Sequence, residues 1–180
     1  MNSEELVSLV IPLFNEEALV ETLSDRVTGA IEASGSNFEI VLVDDGSKDS
    51  TYLKLLEWQE KDDRVVIVQL SRNWGHQNAF NAGLDVATGD AVIFMDGDLE
   101  DPPEMIVKLI DQWRKGYEVV STVKRSRVQR PVLRALTHAY YKILGATLDF
   151  PTQAQSGMFS LLDRLAADAL RSMGERSKSY

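Results

Sequence analysis

Cysteine is missing from all 180 residues. Its absence excludes disulfides and thiolate metal sites and fits a reducing compartment. Basic residues are in deficit: 19 Lys and Arg stand against 28 Asp and Glu, a formal net charge of -9. General nucleic-acid binding depends on neutralising phosphates with Lys and Arg, so nucleic acid is excluded as a partner. No apolar run approaches the roughly 20 residues needed to cross a bilayer. Residues Asn2 to Glu5 are polar and acidic, where a secretory leader is basic and then apolar. The expectation is a soluble, cytoplasmic chain. Two phosphate-binding signatures are also absent: no GxGxxG follows the first apolar run, and no GxxxxGK[ST] occurs anywhere. There is no internal repeat and no low-complexity segment.

What is present is the composition of a globular domain, 44% hydrophobic and 26% charged. Short apolar runs alternate with helical patterns. Leu6 to Phe14, Phe38 to Asp45, Arg64 to Leu70, Ala91 to Asp96 and Tyr117 to Val123 read as strands. Between them, Leu19, Leu23, Val27 and Ile31 recur at helical spacing. Asp49 can cap a helix from about Ser50 to Lys61. His76 to Ala87 reads as a helix that Thr88-Gly89-Asp90 ends. Pro102-Pro103 opens another, with Met105, Ile106, Leu109, Ile110 and Trp113 on one face, and Gly116 closes it. Units of about 25 residues in this order predict an α/β fold with a mostly parallel sheet and helices on both faces, a single domain over residues 1–180. The last third differs. Lys124 to Pro131 is a basic loop, Leu133, Leu136, Tyr140 and Ile143 form an amphipathic stripe, Ser156 to Arg164 can return to the sheet, and a short helix runs from about Leu165 to Met173.

Ligands of such sheets bind at the carboxyl ends of the strands. Asn15-Glu16, Asp44-Asp45, Arg72-Asn73 and Asp96 with Asp98 fall there. Asp96 and Asp98 occupy alternate positions beyond a buried strand, so both can reach one site. Oxygen ligands without Cys or paired His suit Mg2+ or Mn2+. Asp101 and Glu104 have a plainer reading, a solvated acidic turn beside a helix N-terminus, and Glu100 stands between the two cases. Asp44-Asp45-Gly46-Ser47 reads either as a turn or as a carboxylate offered to a base or ribose. Asn15-Glu16 alone reads as a helix cap. His76 reads as a polar residue at a helix start or as a catalytic one.

The segments VIPLFNEE, VDDGSKDST, RNWGHQNAFNAGLDVATGD, MDGDLEDPPE and SGMFSLLDR occur in this order. Together they resemble the family 2 glycosyltransferases of GT-A (Rossmann-like) fold. Within that family they resemble the branch of dolichyl-phosphate mannose synthase and the bacterial polyprenyl-phosphate glycosyltransferases. The resemblance implies an inverting, metal-dependent transfer of a sugar from a UDP- or GDP-linked donor to a polyprenyl or dolichyl phosphate in cell wall biogenesis. It implies that Pro12, Phe14, Glu16 and Asp44 cradle base and ribose with Asp45 beside them. Asp96 would lie near the ribose or donor sugar, and Asp98 would hold the metal, with Glu100 at a position that often contributes. Arg125, Arg127 and Arg130 would meet donor and acceptor phosphates, Arg125 and Arg127 in catalysis. It further implies a catalytic domain continued toward the C-terminus by membrane helices, hence work at the inner face of the membrane. A homo-oligomer is compatible with it.

One departure bears on mechanism. The branch often reads GDF where this chain has Gly157-Met158-Phe159, so the candidate base is replaced by a thioether. A hydroxyl acceptor needs a general base. A phosphate acceptor, with a second pKa near 6, does not. Asp149 and Asp163 are the other carboxylates nearby in sequence. Three alternatives stay open: a non-catalytic nucleotide-sugar-binding module, a family 2 transferase with a saccharide hydroxyl acceptor, and a sugar nucleotidyltransferase. The last is expected to carry a Gly-rich, basic loop after the first strand, and Leu13 to Glu17 shows none.

Overall fold

A computed structural model describes residues 5–123 and 156–173. Arg125, Arg127, Arg130, Asp149 and the stripe from Leu133 to Ile143 lie outside the described residues. The chain divides into two compact units, residues 1–121 with 158–180, and residues 122–157. The first unit carries everything that follows on packing and site.

The strands are β1 (Leu6–Leu13), β2 (Asn37–Asp44), β3 (Val65–Gln69), β4 (Ala91–Phe94), β5 (Val119–Val123) and β6 (Ser156–Asp163). The helices are α1 (Val20–Ser34), α2 (Thr51–Lys61), α3 (His76–Val86), α4 (Ile106–Trp113) and α5 (Arg164–Ser172). A 3-10 turn at Pro103–Met105 leads into α4. The sheet order is β3-β2-β1-β4-β6-β5. β1 pairs in parallel with β2 and β4, and β2 with β3. β6 runs antiparallel to β4, a direction that an apolar run does not specify, because both ladder types accept the same side chains.

Alternation along β1 sets the two layers. Val7, Leu9, Ile11 and Leu13 join one buried cluster with Leu23, Val27 and Ile31 of α1, Leu55 and Trp58 of α2, and Ile106, Leu109 and Ile110 of α4. Val10, with Val41, Val43, Val92 and Phe94, joins the opposite cluster with Ala79, Phe80 and Leu84 of α3 and Ala167 of α5. Both sheet faces are thus covered, which is why the central strands read as unbroken apolar runs.

At the amino ends of the strands a polar knot replaces this packing. Ser8 is fully buried. Its hydroxyl donates to Glu39 Oε1 at 2.5 Å and accepts the Gly89 amide at 2.8 Å. Glu39 also takes the Thr88 amide and hydroxyl. This knot ties the end of α3 to β1 and β2 and leaves the opposite, carboxyl ends free to carry a site.

Candidate functional site

Strand order reverses between β1 and β4: β2 lies on one side of β1, and β4, reached only after two more crossovers, lies on the other. The connections after β1 and β4 depart to either side, which opens a crevice between them at the carboxyl edge. A cleft of about 290 Å³ sits there, lined by Pro12, Leu13, Phe14 and Glu16 after β1, Asp45 after β2, Asn73, His76 and Ala79 around the start of α3, and Asp96, Gly97 and Asp98 after β4.

Asn15 shapes the β1 lip. Its backbone is left-handed, φ 55°, a conformation asparagine tolerates. Its amide donates to Ser47 Oγ at 3.0 Å, and its Oδ1 accepts the Lys48 amide at 2.8 Å. Next to it, the Glu16 amide donates to Thr51 Oγ1 at 2.8 Å, and Glu17 Oε2 accepts the Ser50 amide at 2.8 Å. The expected helix-cap role of Asn15-Glu16 is therefore corrected. α1 begins one residue after Leu19 without a side-chain cap, and these polar groups instead lock the β1 loop to the β2 loop. Asp49 likewise does not cap α2 from the N-cap position, which is Ser50. It accepts the Thr51 amide and hydroxyl, at 3.0 and 2.6 Å, and the Glu17 amide at 3.3 Å.

The pair Asp44-Asp45 divides its labour. Asp44 is fully buried; its Oδ1 accepts the Ser47 amide at 3.1 Å, the turn bond, while its Oδ2 has no protein partner. Asp45 commits both oxygens to the backbone of the loop before α3: Oδ1 to the Trp74 amide at 2.8 Å and Oδ2 to the Gly75 amide at 3.0 Å. Gly46 makes that approach possible. Its φ is +69°, and a Cβ there would lie 2.5 Å from the Arg72 carbonyl carbon and 2.8 Å from the Asn73 nitrogen. Arg72 stacks its guanidinium 3.9 Å over the half-exposed Trp74 ring, an exposed cation–π pair.

Asp96 and Asp98 both line the cleft, as their alternate spacing predicts. Asp98 is exposed and its Oδ1 accepts the Glu100 amide at 2.9 Å. Leu99 between them is left-handed, φ 60°, a strained backbone of the kind that collects at functional sites. Burial pushes the Glu16 carboxyl up, and the charges of Asp98 and Asp49 add to it. Glu16 and Asp98 therefore repel across the cleft, and a cation between them would relieve that repulsion. Among the described residues no three carboxylate or imidazole side chains converge into a finished metal cage.

His76 is the residue that its position in the sequence undersold. At the first turn of α3, its Nε2 lies 2.7 Å from Asp96 Oδ1. The hydrogen bond to Asp96 holds the imidazole above its ordinary value, against burial and with further help from the charges of Asp96, Asp98 and Asp45. The Asp–His pairing spans 20 positions and no motif spacing announces it; the hint is a histidine opening the helix that follows a strand end rich in polar groups.

The other acidic residues of the β4 turn behave differently from a solvated cap. Asp101 is buried, 7% exposed. Glu104 is exposed and grips Arg26 of α1 with two bonds, 3.1 and 2.7 Å. Met158 packs among the apolar residues on the α3 side of the sheet. Asp163 caps α5 by accepting the Ala166 amide at 2.7 Å, so its carboxylate is committed to the helix terminus.

A mostly parallel sheet with a polar cleft at its switch point defines a Rossmann-like class of α/β protein, in which ligands bind outside the carboxyl ends of the strands. Residues 8–171 match the family described as Glycosyl transferase family 2, and the chain belongs to that family. It is 38% identical over 173 residues to an uncharacterized glycosyltransferase of Synechocystis sp., covering 96% of this chain and 54% of that protein. It is 44% identical over 124 residues to the undecaprenyl-phosphate 4-deoxy-4-formamido-L-arabinose transferase of Aeromonas hydrophila, covering 68% of this chain and 38% of that protein. The chain spans about half the length, or less, of these curated relatives. Among solved structures, the mannosyltransferase PcManGT of Pyrobaculum calidifontis, in complex with GDP-Man and Mn2+, matches with a TM-score of 0.66 at 23% identity, over 91% of this chain and 46% of that one. Glucosyl-3-phosphoglycerate synthase of Mycobacterium tuberculosis, with Mn2+, UDP and glucosyl-3-phosphoglycerate, matches with a TM-score of 0.63 at 23% identity, over 93% of this chain and 58% of that one. These two likenesses bear on fold, and the fold is the expected GT-A one.

Proposed function

We propose that the chain is the catalytic part of an inverting glycosyltransferase that moves a sugar from a nucleoside diphosphate sugar to a polyprenyl phosphate. The observation that carries this reading is the gathering of Phe14, Glu16, Asp96 and Asp98 around one cleft at the sheet's switch point. Pro12, Phe14, Glu16 and Asp44 form the base and ribose side. Asp44 is fully buried and is not among the residues lining the cleft, so its place on that side is argued from its position at the end of β2. Asp45 acts from beside them by holding the loop that carries Asn73. Asp96 faces the ribose or donor sugar. Asp98, assisted by Glu100, would hold Mg2+ or Mn2+. When bound, the ion stabilises charge on the leaving diphosphate.

An acceptor phosphate oxygen attacks the anomeric carbon from the face opposite the leaving group. The bond from that carbon to the diphosphate oxygen breaks, and the nucleoside diphosphate leaves with the electron pair. A phosphate dianion enters without surrendering a proton, so no base is required. The surroundings of Met158 and Asp163 support this choice: one is a thioether among apolar neighbours, the other is occupied by a helix terminus. Arg125, Arg127 and Arg130 supply guanidinium groups, which match phosphate oxygens bidentately. Relatives named undecaprenyl-phosphate transferases point to the same acceptor class. No helix among the described residues is long and apolar enough to cross a membrane.

The test offers labelled donor to the protein in vesicles containing either undecaprenyl phosphate or undecaprenol. Label is expected in the phosphate lipid alone. Arg127→Ala should cut transfer at least about tenfold and leave donor affinity within about threefold, as loss of one charged hydrogen-bonding partner implies. Transfer to the free hydroxyl alone would refute the phosphate acceptor. Saturable donor binding with no transfer to any acceptor would favour a non-catalytic binding module.

A further inference from the structure

His76 has a side chain 48% exposed, yet its ring is held on several sides. Its edge meets Phe80, one turn on in α3, at 4.6 Å and 79°. Phe80 is fully buried and meets Phe94 at 5.2 Å and 89°. Phe94 ends β4 two residues before Asp96, so the contacts close a ring: Phe94, Phe80, His76, Asp96. From the other side, the loop feeding into His76 is fastened by Asp45 through the Trp74 and Gly75 amides. An exposed ion pair contributes little to stability, so a fold that fixes a half-exposed imidazole this firmly gains something other than stability from it.

Its consequence lies at Asp96. Oδ1 of Asp96 is out of contact with solvent and has no aligned hydrogen bond, while Nε2 of His76 stands 2.7 Å from it as an ion pair. We propose that His76 is a positioning residue of the site: by pairing its Nε2 with Asp96 Oδ1 it turns that oxygen inward and presents Oδ2 to the donor sugar. This rests on reading the cleft as a sugar-nucleotide site. Without the imidazole, a carboxylate oxygen facing protein would lose its ion-pair partner, and Asp96 would swing toward water. The nucleoside diphosphate, which lacks the sugar, would be indifferent to that swing.

The experiment is titration calorimetry on wild type, His76→Ala and His76→Gln in saturating Mn2+. UDP-glucose and GDP-mannose serve as probes, each beside its own nucleoside diphosphate. Glutamine carries an amide Nε2 that can replace the imidazole donor. His76→Ala is expected to weaken the sugar nucleotide about tenfold, the effect of losing one charged hydrogen bond, and the nucleoside diphosphate less than about threefold. His76→Gln is expected to recover most of the loss. Equal weakening of both ligands in His76→Ala, or a glutamine variant no better than alanine, overturns the proposal while leaving the donor site intact. A wild-type protein that binds none of the four nucleotides overturns the donor-site reading and this proposal with it.

Discussion

Replacing Gly46 by alanine strikes the junction on which the cleft is built. Two costs arise there. The backbone φ of +69° charges an L-residue about 1–2 kcal/mol. The added Cβ would also lie 2.5, 2.6 and 2.8 Å from three backbone atoms of Arg72 and Asn73. Backbone cannot rotate away as a side-chain tip can, so this segment must shift, at the roughly 1–3 kcal/mol typical of overpacking. The sum is about 2–5 kcal/mol. Gly35 is the internal control: its φ is +63°, with nothing within 4 Å of its would-be Cβ, so Gly35→Ala bears the backbone cost alone, about 1–2 kcal/mol. For a chain of this size a kcal/mol moves the melting midpoint by about 2–4 °C. Gly46→Ala should therefore melt roughly 4–20 °C below wild type and Gly35→Ala roughly 2–8 °C below. Urea melts followed by circular dichroism would give the two free energies directly. The displaced segment also holds Asn73 and leads into His76, so donor affinity should fall in Gly46→Ala and hold in Gly35→Ala. Equal destabilisation by the two substitutions would refute the argument from close approach.

Asp44→Ala should weaken a nucleoside diphosphate and its sugar conjugate equally, by about tenfold, if its proposed contact is to base or ribose; calorimetry showing loss for the sugar conjugate alone would remove Asp44 from that role. The His76 imidazole is raised above 6.5 in the folded state by its bond to Asp96. Its contribution to stability is thus fully present below pH 6.5 and is lost as pH rises through the raised value. Because the pair is half exposed, that loss should stay under about 1 kcal/mol, and chemical denaturation across this pH range should show it in wild type and not in His76→Gln. Glu16, also raised, moves stability in the same direction: a carboxyl held up by burial and by Asp98 and Asp49 destabilises the fold as pH rises above 4.5. Glu16→Gln should therefore raise the melting temperature of the ligand-free protein at pH 7.

The sheet's central strands and the order of units were legible because buried parallel strands are apolar on both faces. The apolar runs from Leu6, Phe38 and Ala91 each became a strand within two residues of the expected bounds at either end. The helical face of Ile106, Leu109 and Ile110 buried as its spacing implied. Asp96 and Asp98 were legible as neighbours in one site because alternate residues beyond a strand end stay close. Interactions across the chain were not legible. Nothing in Asp45-Gly46 alone shows that the carboxylate anchors Trp74 and Gly75, about 30 positions on. The burial of Asp101, the α1 partner of Glu104 and the pairing of His76 with Asp96 are likewise tertiary facts. The antiparallel entry of β6 was open for a different reason: direction is set by the route of the connection, not by the strand's own residues.

The measurement closest to the central claim is the metal dependence of donor binding at Asp98. Titration calorimetry of a UDP- or GDP-sugar into wild type, with Mn2+ and with chelator, should give saturable binding that depends on the ion. Asp98→Ala should lose the ion-dependent part while keeping the melting behaviour of wild type, because its side chain is exposed. Tight binding to Asp98→Ala, equal with and without Mn2+, would contradict the assignment of the acidic cleft as a metal-assisted sugar-nucleotide site.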